Sequence, residues 1–284
     1  MRQKNICAKA LLNIGENTPF DMPRSGDPIP TFSAVIGFFY MPNHINKASR
    51  MSQSENRLLA ALSAEEYQRL EPHLQLVEIP QGQVLYQPLE VIEYVYFLTQ
   101  GMVSTVILLD NGSVVEAALT GNEGMIGLAV CWGGNMANDQ AIVQVAGKAM
   151  RIKAEQLKTE FNRGGMLQSQ LLRFTQAIFT YSSQSTACNR LHTLEERLAR
   201  WLLAVQDRVS SKKLPLTQES LSHMLGVRRS GVTVAANTLQ EAGMIAYRRG
   251  QITIINRQNL EATACECYQV LKDEYKRLLS LDNW

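Results

Sequence analysis

Near the C-terminal end of this sequence, Arg228, Arg229, Ser230 and Thr233 fall within six residues, and Arg248–Arg249 follow close behind. These residue types at this spacing suit a polyanion. A guanidinium offers a two-pronged donor that matches O6 and N7 of guanine, and a hydroxyl can donate to or accept from several bases or a phosphate. Arginines placed on the sugar-phosphate backbone would add an attraction that falls steeply with salt. Between Lys212 and Arg257 there are seven basic residues against Glu219 and Glu241, a local balance of +5, while the whole chain carries only +2. The positive charge is concentrated.

Those side chains need rigid elements beneath them, and the flanking residues predict such elements. Thr217 is a good N-cap, and Glu219 places a negative charge in the first turn of the helix that follows. Leu221, Met224 and Leu225 share a face of it, Ser222 is small enough for a close helix crossing, and Gly226 suits a left-handed turn. A second helix is expected from about Arg228 to Glu241, burying Val232, Ala235, Ala236 and Leu239 and exposing Arg228, Arg229, Ser230 and Thr233 at its start. Ala242–Ile245 closes it. Tyr247–Gln251 reads as a tight turn and Ile252–Ile255 as a short strand, which together make a wing. This is a winged helix-turn-helix, whose second helix enters the major groove N-terminus first. Thr217, Arg228, Arg229, Ser230, Thr233, Arg248 and Arg249 are its candidate DNA contacts. The alternative is a helix pair and hairpin that touch another protein, with the arginines as a solvated face.

The chain of 284 residues, 45% hydrophobic and 19% charged, has room for two ordinary folded domains and is not disordered as a whole. Phe32–Met41 is an apolar run too short to span a bilayer, bracketed by prolines and too far from the N-terminus to serve as a signal peptide. Neither a membrane association nor a secretory route is expected. Five scattered cysteines, Cys7, Cys131, Cys188, Cys265 and Cys267, point to a reducing cytoplasm rather than a disulfide framework. Residues 1–50 hold five prolines and no sustained period, and are expected to be a disordered leader or the product of a mis-assigned start.

From Leu76 to Ile152 the pattern changes to short alternating runs divided by turn residues, with Asp110-Asn111-Gly112 a strong hairpin signal. Strands are expected at Leu76–Ile79, Val84–Tyr86, Tyr94–Leu98, Met102–Leu109, Val114–Leu119, Ala141–Ala146 and Lys148–Ile152, forming a small barrel or roll. Leu167, Leu171, Phe174, Ile178 and Tyr181 then recur at steps of four and three, the seam of two packed helices. A dimer helix is the preferred reading, because a helix-turn-helix normally reads two half-sites as a symmetric pair. A helix lying on its own barrel is the alternative. Further amphipathic stretches run from His192 to Val209 and from Leu260 to Leu279, the last expected to pack on the winged domain.

A roll, a long helix and a winged helix-turn-helix in this order resemble the CRP/FNR superfamily of bacterial transcription regulators. The resemblance spans roughly Leu58 to Ile255 and is carried by Asn122–Gly127, by Leu194–Leu202 and by Leu216–Gly250. It implies an α+β chain with an N-terminal β-roll (double-stranded β-helix) sensor domain over 51–163, a dimerisation helix over 164–190, and a winged helix-turn-helix with an extra C-terminal helix over 191–284. It also implies a homodimer on a roughly palindromic operator of double-stranded DNA, and contact with RNA polymerase. The family's DNA-contacting arginine falls on Arg229. Its acidic base reader falls on Ser230 and a further basic reader on Val234, so a different half-site is expected.

Members that bind cyclic AMP grip its phosphate with an arginine beside a serine or threonine, and Asp139-Gln140 stands in that place. Between Arg69 and Lys148 there is no lysine or arginine, while eight acids occur. A phosphate anion needs a cation or a nest of amides, so cyclic AMP is not the expected effector. No cysteine lies between Arg50 and Val130, against an iron–sulfur sensor of the family's kind. His44, His73, His192 and His223 are isolated and read as surface or capping residues. Cys265 and Cys267, two apart, would point to different faces of a helix and read as small half-buried residues; a redox or metal role would need Cys188 or Cys131 nearby. No metal site, cofactor or catalytic residue is expected. A Gly-x-Ser-x-Gly elbow, a phosphate loop and paired Cys-x-x-Cys motifs are all missing from the sequence.

Overall fold

The computed structural model describes residues 55–209 and 211–280; the expected leader at 1–50 lies outside them. The chain opens with a short helix α1 (Arg57–Ala60) and a second, α2 (Ala64–Leu70), closed at its start by a capping box between Ser63 and Glu66. Six strands follow: β1 (Gln75–Ile79), β2 (Val84–Tyr86), β3 (Tyr94–Leu108), β4 (Val114–Thr120), β5 (Met125–Ile126) and β6 (Gln140–Lys153). They form one antiparallel sheet in the order β1-β6-β3-β4, with β2 on β6 and β5 on β3. The hairpin expected at Asp110–Gly112 joins β3 to β4.

Two expected breaks in the strands are not there. Tyr94–Leu98 and Met102–Leu109 are one strand, and so are Ala141–Ala146 and Lys148–Ile152. Gly101 and Gly147, which lie in the gaps between the expected strands, sit opposite each other where β3 and β6 bulge past one another. A Cβ on Gly147 would lie 2.0 Å from the Gln100 carbonyl oxygen, and one on Gly101 would lie 2.5 Å from that of Val145. The register shifts three times across Leu98–Val103, the local bend a bulge allows.

Helix α3 (Ala154–Asn162) leads to the long α4 (Met166–Leu191), then α5 (Leu194–Val209), with only His192 and Thr193 between them. The Glu66 carboxylate accepts from the Met166 N–H at 2.7 Å, which fixes the start of α4 to α2. The seam predicted for a partner is filled by the chain itself. Leu167, Leu171, Phe174 and Tyr181 are 0–2% exposed and Ile178 is half-buried, all against the roll and neighbouring helices. Gly124 makes this possible, since a Cβ there would lie 2.2 Å from Phe174 Cζ. Burying each such side chain contributes about 1.5–3 kcal/mol, and the same four-three spacing serves either kind of packing. The outward side of α4 instead carries Leu172 and Phe179, seven apart.

After α5 come β7 (Lys213–Leu214), α6 (Gln218–Leu225), α7 (Arg229–Glu241), β8 (Ile245–Arg248) and β9 (Gln251–Ile254), then α8 (Arg257–Thr263) and α9 (Cys267–Leu279). The single C-terminal helix expected over Leu260–Leu279 is therefore two, broken at Ala264–Glu266, where Ala264 is extended (ψ 145°). Helix α9 packs along α4 and α5, with Tyr268 and Leu271 in the core shared with the winged domain, as expected, and Tyr275 and Leu278 in the roll's core, which was not. Helix α5 is buried over most of its surface although it carries Arg197, Arg200 and Arg208, which are buried with its apolar residues. Its Leu198, Trp201, Leu202 and Val205 join Met102, Val106 and Leu119 of the roll and Leu221, Val232 and Leu239 of the C-terminal module in one core.

Candidate nucleic-acid interface

Thr217 caps α6: its Oγ accepts from the Ser220 N–H, and the Ser220 Oγ accepts from the Thr217 N–H, each at 3.0 Å. The reciprocal partner is thus a serine rather than the Glu or Gln usual in that place. At the other end Gly226 adopts the left-handed conformation (φ 61°, ψ 40°) and donates its N–H to His223 and Ser222. Arg197, reaching from α5, donates to the Leu225 carbonyl, a cation placed at the negative end of the α6 dipole. The buried faces of α6 and α7, Leu221, Met224 and Leu225 on Val232, Ala235, Ala236 and Leu239, then fix the crossing.

Helix α7 begins at Arg229 with Arg228 in the N-cap position and no side chain capping it. Arg228, Arg229 and Ser230 are exposed and Thr233 is half-buried. Thr233 Oγ1 bonds to the Arg229 carbonyl and to Gln218 Oε1, each at 3.1 Å, and Gln218 Oε1 also accepts from Arg229 Nε at 3.5 Å. Gln218 went unnoticed in the sequence, although its place directly after the capping Thr217 was the available signal. It orients the arginine, and its amide N–H groups are additional donors beside Thr217.

The wing is a two-residue hairpin. Arg249 (φ 51°) and Gly250 (φ 74°) both have positive φ, the signature of a type I′ turn between twisted strands. Arg249 holds that conformation with a full side chain, which leaves its guanidinium at the tip. A Cβ on Gly250 would lie 3.5 Å from Thr217 Cγ2, so the tip stands beside the start of α6. Strands β8 and β9, with β7 on the far side of β9, hold it there.

This surface gathers basic side chains that have no carboxylate partner. Among the described residues, Arg228, Arg229, Arg248 and Arg249 form no ion pair, while Arg69, Arg163, Arg208, Arg257 and Arg277 each have a carboxylate within 2.9 Å. Arg257, counted in the basic cluster from the sequence, is turned inward onto Asp207 and Glu261. Four unpaired guanidiniums on one helix start and one hairpin tip form a cationic surface that awaits an anion.

A second concavity, of about 480 Å³, lies between the roll and α4 and is lined by Tyr86, Ile126, Leu128, Asp139, Ile178 and Phe179 among others. No basic residue lines it. Tyr86 donates to Asp139 Oδ1 at 2.7 Å, and burial pushes the Asp139 carboxyl above its ordinary range.

Comparison with known proteins agrees with this division. Residues 76–163 match the cyclic nucleotide-binding domain model and residues 196–263 the Crp-like helix-turn-helix domain model. The fold is similar to a transcriptional regulator of the CRP/FNR family from Eubacterium rectale (18% identity, 74% of this chain and 98% of that one, TM-score 0.61) and to FixK2 from Bradyrhizobium japonicum (20%, 68% and 98%, 0.59). It is also similar to the c-di-GMP-responsive regulator CLP of Xanthomonas campestris (15%, 68% and 99%, 0.54). No curated protein matches the sequence. Among the described residues no helix is long and apolar enough to cross a membrane.

Proposed function

Because the chain belongs to the CRP/FNR superfamily of transcription regulators, we propose that it binds a palindromic operator in double-stranded DNA as a cytoplasmic homodimer, and acts there on RNA polymerase without catalysing a reaction. The observation that carries this reading is the set of four unpaired arginines on the start of α7 and the wing tip. Arg229 and Ser230 read base edges from the major groove, while Arg248, Arg249, Thr217 and Arg228 hold the backbone, with Gln218 keeping Arg229 in place. With Ser230 and Val234 where the family has charged readers, the half-site differs from its best-known one. The contrasting reading, protein contact through the same face, has only Val234 as an exposed apolar side chain among the arginines and hydroxyls, where a protein interface centres on a buried aromatic or apolar cluster.

Substitution separates the two kinds of contact. Arg229→Ala weakens binding to the operator by roughly 1–3 kcal/mol and relaxes one base position, whereas Arg248→Ala weakens all sequences alike and lowers the salt slope by about one. Titration against operator and random fragments at several salt concentrations measures both. Equal losses on the two fragments would remove Arg229 as the base reader, and a slope that stays flat as salt rises would remove DNA as the partner.

The second copy belongs on the outward side of α4, where Leu172 (52%) and Phe179 (72%) stand exposed, with the inward residues Leu167, Leu171, Phe174, Ile178 and Tyr181 shaping the helix from behind. Phe179→Asp turns the dimer into a monomer in sedimentation velocity and leaves the helical circular dichroism unchanged. A variant that sediments as a dimer refutes this placement.

We infer that cyclic AMP and cyclic GMP are not effectors bound between the roll and α4. In the cavity between roll and helix an anionic phosphate would meet Asp139 and find no cation. Calorimetric titration with cyclic AMP therefore yields no binding heat at micromolar concentrations, and a saturable isotherm would reverse the statement.

A further inference from the structure

The break between α8 and α9 has a chemical result. Cys265 and Cys267, which a continuous helix would point apart, turn toward the end of α4, where Cys188 occupies the last turn and His192 is the C-cap. Cys188 Sγ lies 3.5 Å from Cys265 Sγ, and His192 Nδ1 lies 3.5 Å from Cys267 Sγ. The four atoms all fall within 4.8 Å of one another. The three cysteines are buried and His192 is mostly so. This corrects the reading of His192 as isolated and of the cysteines as inert filler.

We propose that Cys188, His192, Cys265 and Cys267 hold one zinc ion in a closed Cys3His site that clamps the segment after the wing to the junction of α4 and α5. In a tetrahedral site with Zn–S near 2.3 Å and Zn–N near 2.0–2.1 Å, ligand atoms stand about 3.5–3.8 Å apart. The two closest pairs already have that spacing, and the widest has about 1 Å to close. A single ion fits this span, whereas an iron–sulfur cluster carries its thiolates farther apart on a larger body. The second shell is also present. His192 Nε2 is 3.2 Å from Glu266 Oε2, so a carboxylate fixes the tautomer that leaves Nδ1 free to ligate, and Gln184 Nε2 donates to Cys267 Sγ at 3.2 Å.

Charge supplies an independent reason. Arg197 and Arg200 are buried beside the cluster, and Nε of both and Nη1 of Arg200 have no hydrogen-bond partner. Neither makes an ion pair among the described residues, although Cys188 and Cys265 act on both through space. When zinc binds, three thiols release their protons to solvent and the neutral imidazole adds none. Three thiolates and one divalent cation leave a site of net charge −1 beside two guanidiniums whose other neighbours include the Leu225 carbonyl and the Tyr181 ring, and which make no ion pair among the described residues. The loaded site is the anion these arginines lack.

The ligands come from both sides of the His192–Thr193 junction, two from the end of α4 and two from the chain that follows the winged module. An ion there sets the angle at which the module leaves α4; this consequence for DNA rests on the function proposed above, while the site itself does not.

The test is elemental analysis and X-ray absorption on the full chain purified under reducing conditions. One zinc per chain with a shell of three sulfurs and one nitrogen is expected. Cobalt added to the metal-free protein gives thiolate-to-metal charge transfer and intense tetrahedral d–d bands. Cys265→Ser and Cys267→Ser lose the metal, His192→Cys keeps it, and Cys131→Ser, outside the cluster, is unchanged. The wild-type spectra decide the matter even where a variant fails to fold. An absence of zinc with no cobalt uptake, an iron cluster in its place, or a resting Cys188–Cys265 disulfide would each overturn the site. Zinc-loaded protein that ignores DNA would instead refute the DNA reading and leave the site standing.

Discussion

Replacing Arg208 by alanine lowers the free energy of unfolding by about 3–5 kcal/mol in urea titration, because it strands a buried carboxylate. Arg208 Nε donates to Glu123 Oε1 at 2.8 Å, with the two side chains 1% and 0% exposed. Both Glu123 oxygens also accept from the Gly121 N–H, at 3.0 and 3.1 Å, and Arg208 Nη1 donates to the Ala204 carbonyl at 2.9 Å. The guanidinium stands over the rings of Tyr275 (5.4 Å) and Tyr181 (6.0 Å). The Glu123 charge holds it protonated even more firmly than usual, against the opposing effect of burial. The pair joins the roll to α5, so its loss loosens the joint as well as the core. Removing both charges is far milder, and Glu123→Gln with Arg208→Met recovers most of the lost stability. If Arg208→Ala stays within about 1 kcal/mol of the parent, a value typical of solvent-exposed pairs, the pair is not the buried lock described here.

Glu116→Ala is the second large effect, at about 2–5 kcal/mol, since each stranded buried donor costs about 1–3 kcal/mol. Its carboxylate accepts from Ser104 Oγ at 2.7 Å and from Tyr181 OH and Trp201 Nε1 at 2.9 Å, which ties β3, β4, α4 and α5 at one point. Glu116→Gln keeps the network, with its oxygen serving Tyr181 and Trp201 and its amide donating to a rotated Ser104 hydroxyl. The two variants therefore separate the hydrogen bonds from the charge. Burial raises the Glu116 carboxyl above its unfolded value of 4.5, partly offset by the bonds from Ser104, Tyr181 and Trp201. A carboxyl raised in the folded state contributes stability that is complete below 4.5 and is lost as pH rises through the folded value. Relative to Glu116→Gln, the parent protein accordingly loses stability as the pH climbs from that point, and the difference levels off once Glu116 is ionised in the fold. Melting temperatures of the two proteins across this window check the sign. A parent that gains on the glutamine variant with rising pH contradicts it.

How much of this was legible beforehand depended on the range of the interaction. Thr217, Gly226, Arg229 and the wing were readable because a cap, a left-handed turn and a helical face are written in adjacent residues. The seam on α4 was readable as a seam but not as to its partner, since four-three spacing describes one face and not what covers it. Gly101 and Gly147 interrupt the alternating pattern, and their role is not readable locally because it depends on each other across 46 positions of sequence. The sulfur cluster was further still out of reach: Cys188 and Cys265 are 77 positions apart, and their meeting requires a helix break that composition alone would not place. Gln218 is adjacent to the cap in sequence, but its contacts to Arg229 and Thr233 arise only from the crossing of α6 and α7.

Helix α9 returns from the winged module to lie along α4 and place Tyr275 and Leu278 within the roll. The module is thus moored at two points, where the polypeptide enters and where it leaves, like a span resting on twin piers. A body so held does not hang on a single tether, and the core it shares with the roll adds a third hold between the two. A protease nick between α8 and α9 would cut one mooring, and the freed module would keep its own shape while losing its bearing.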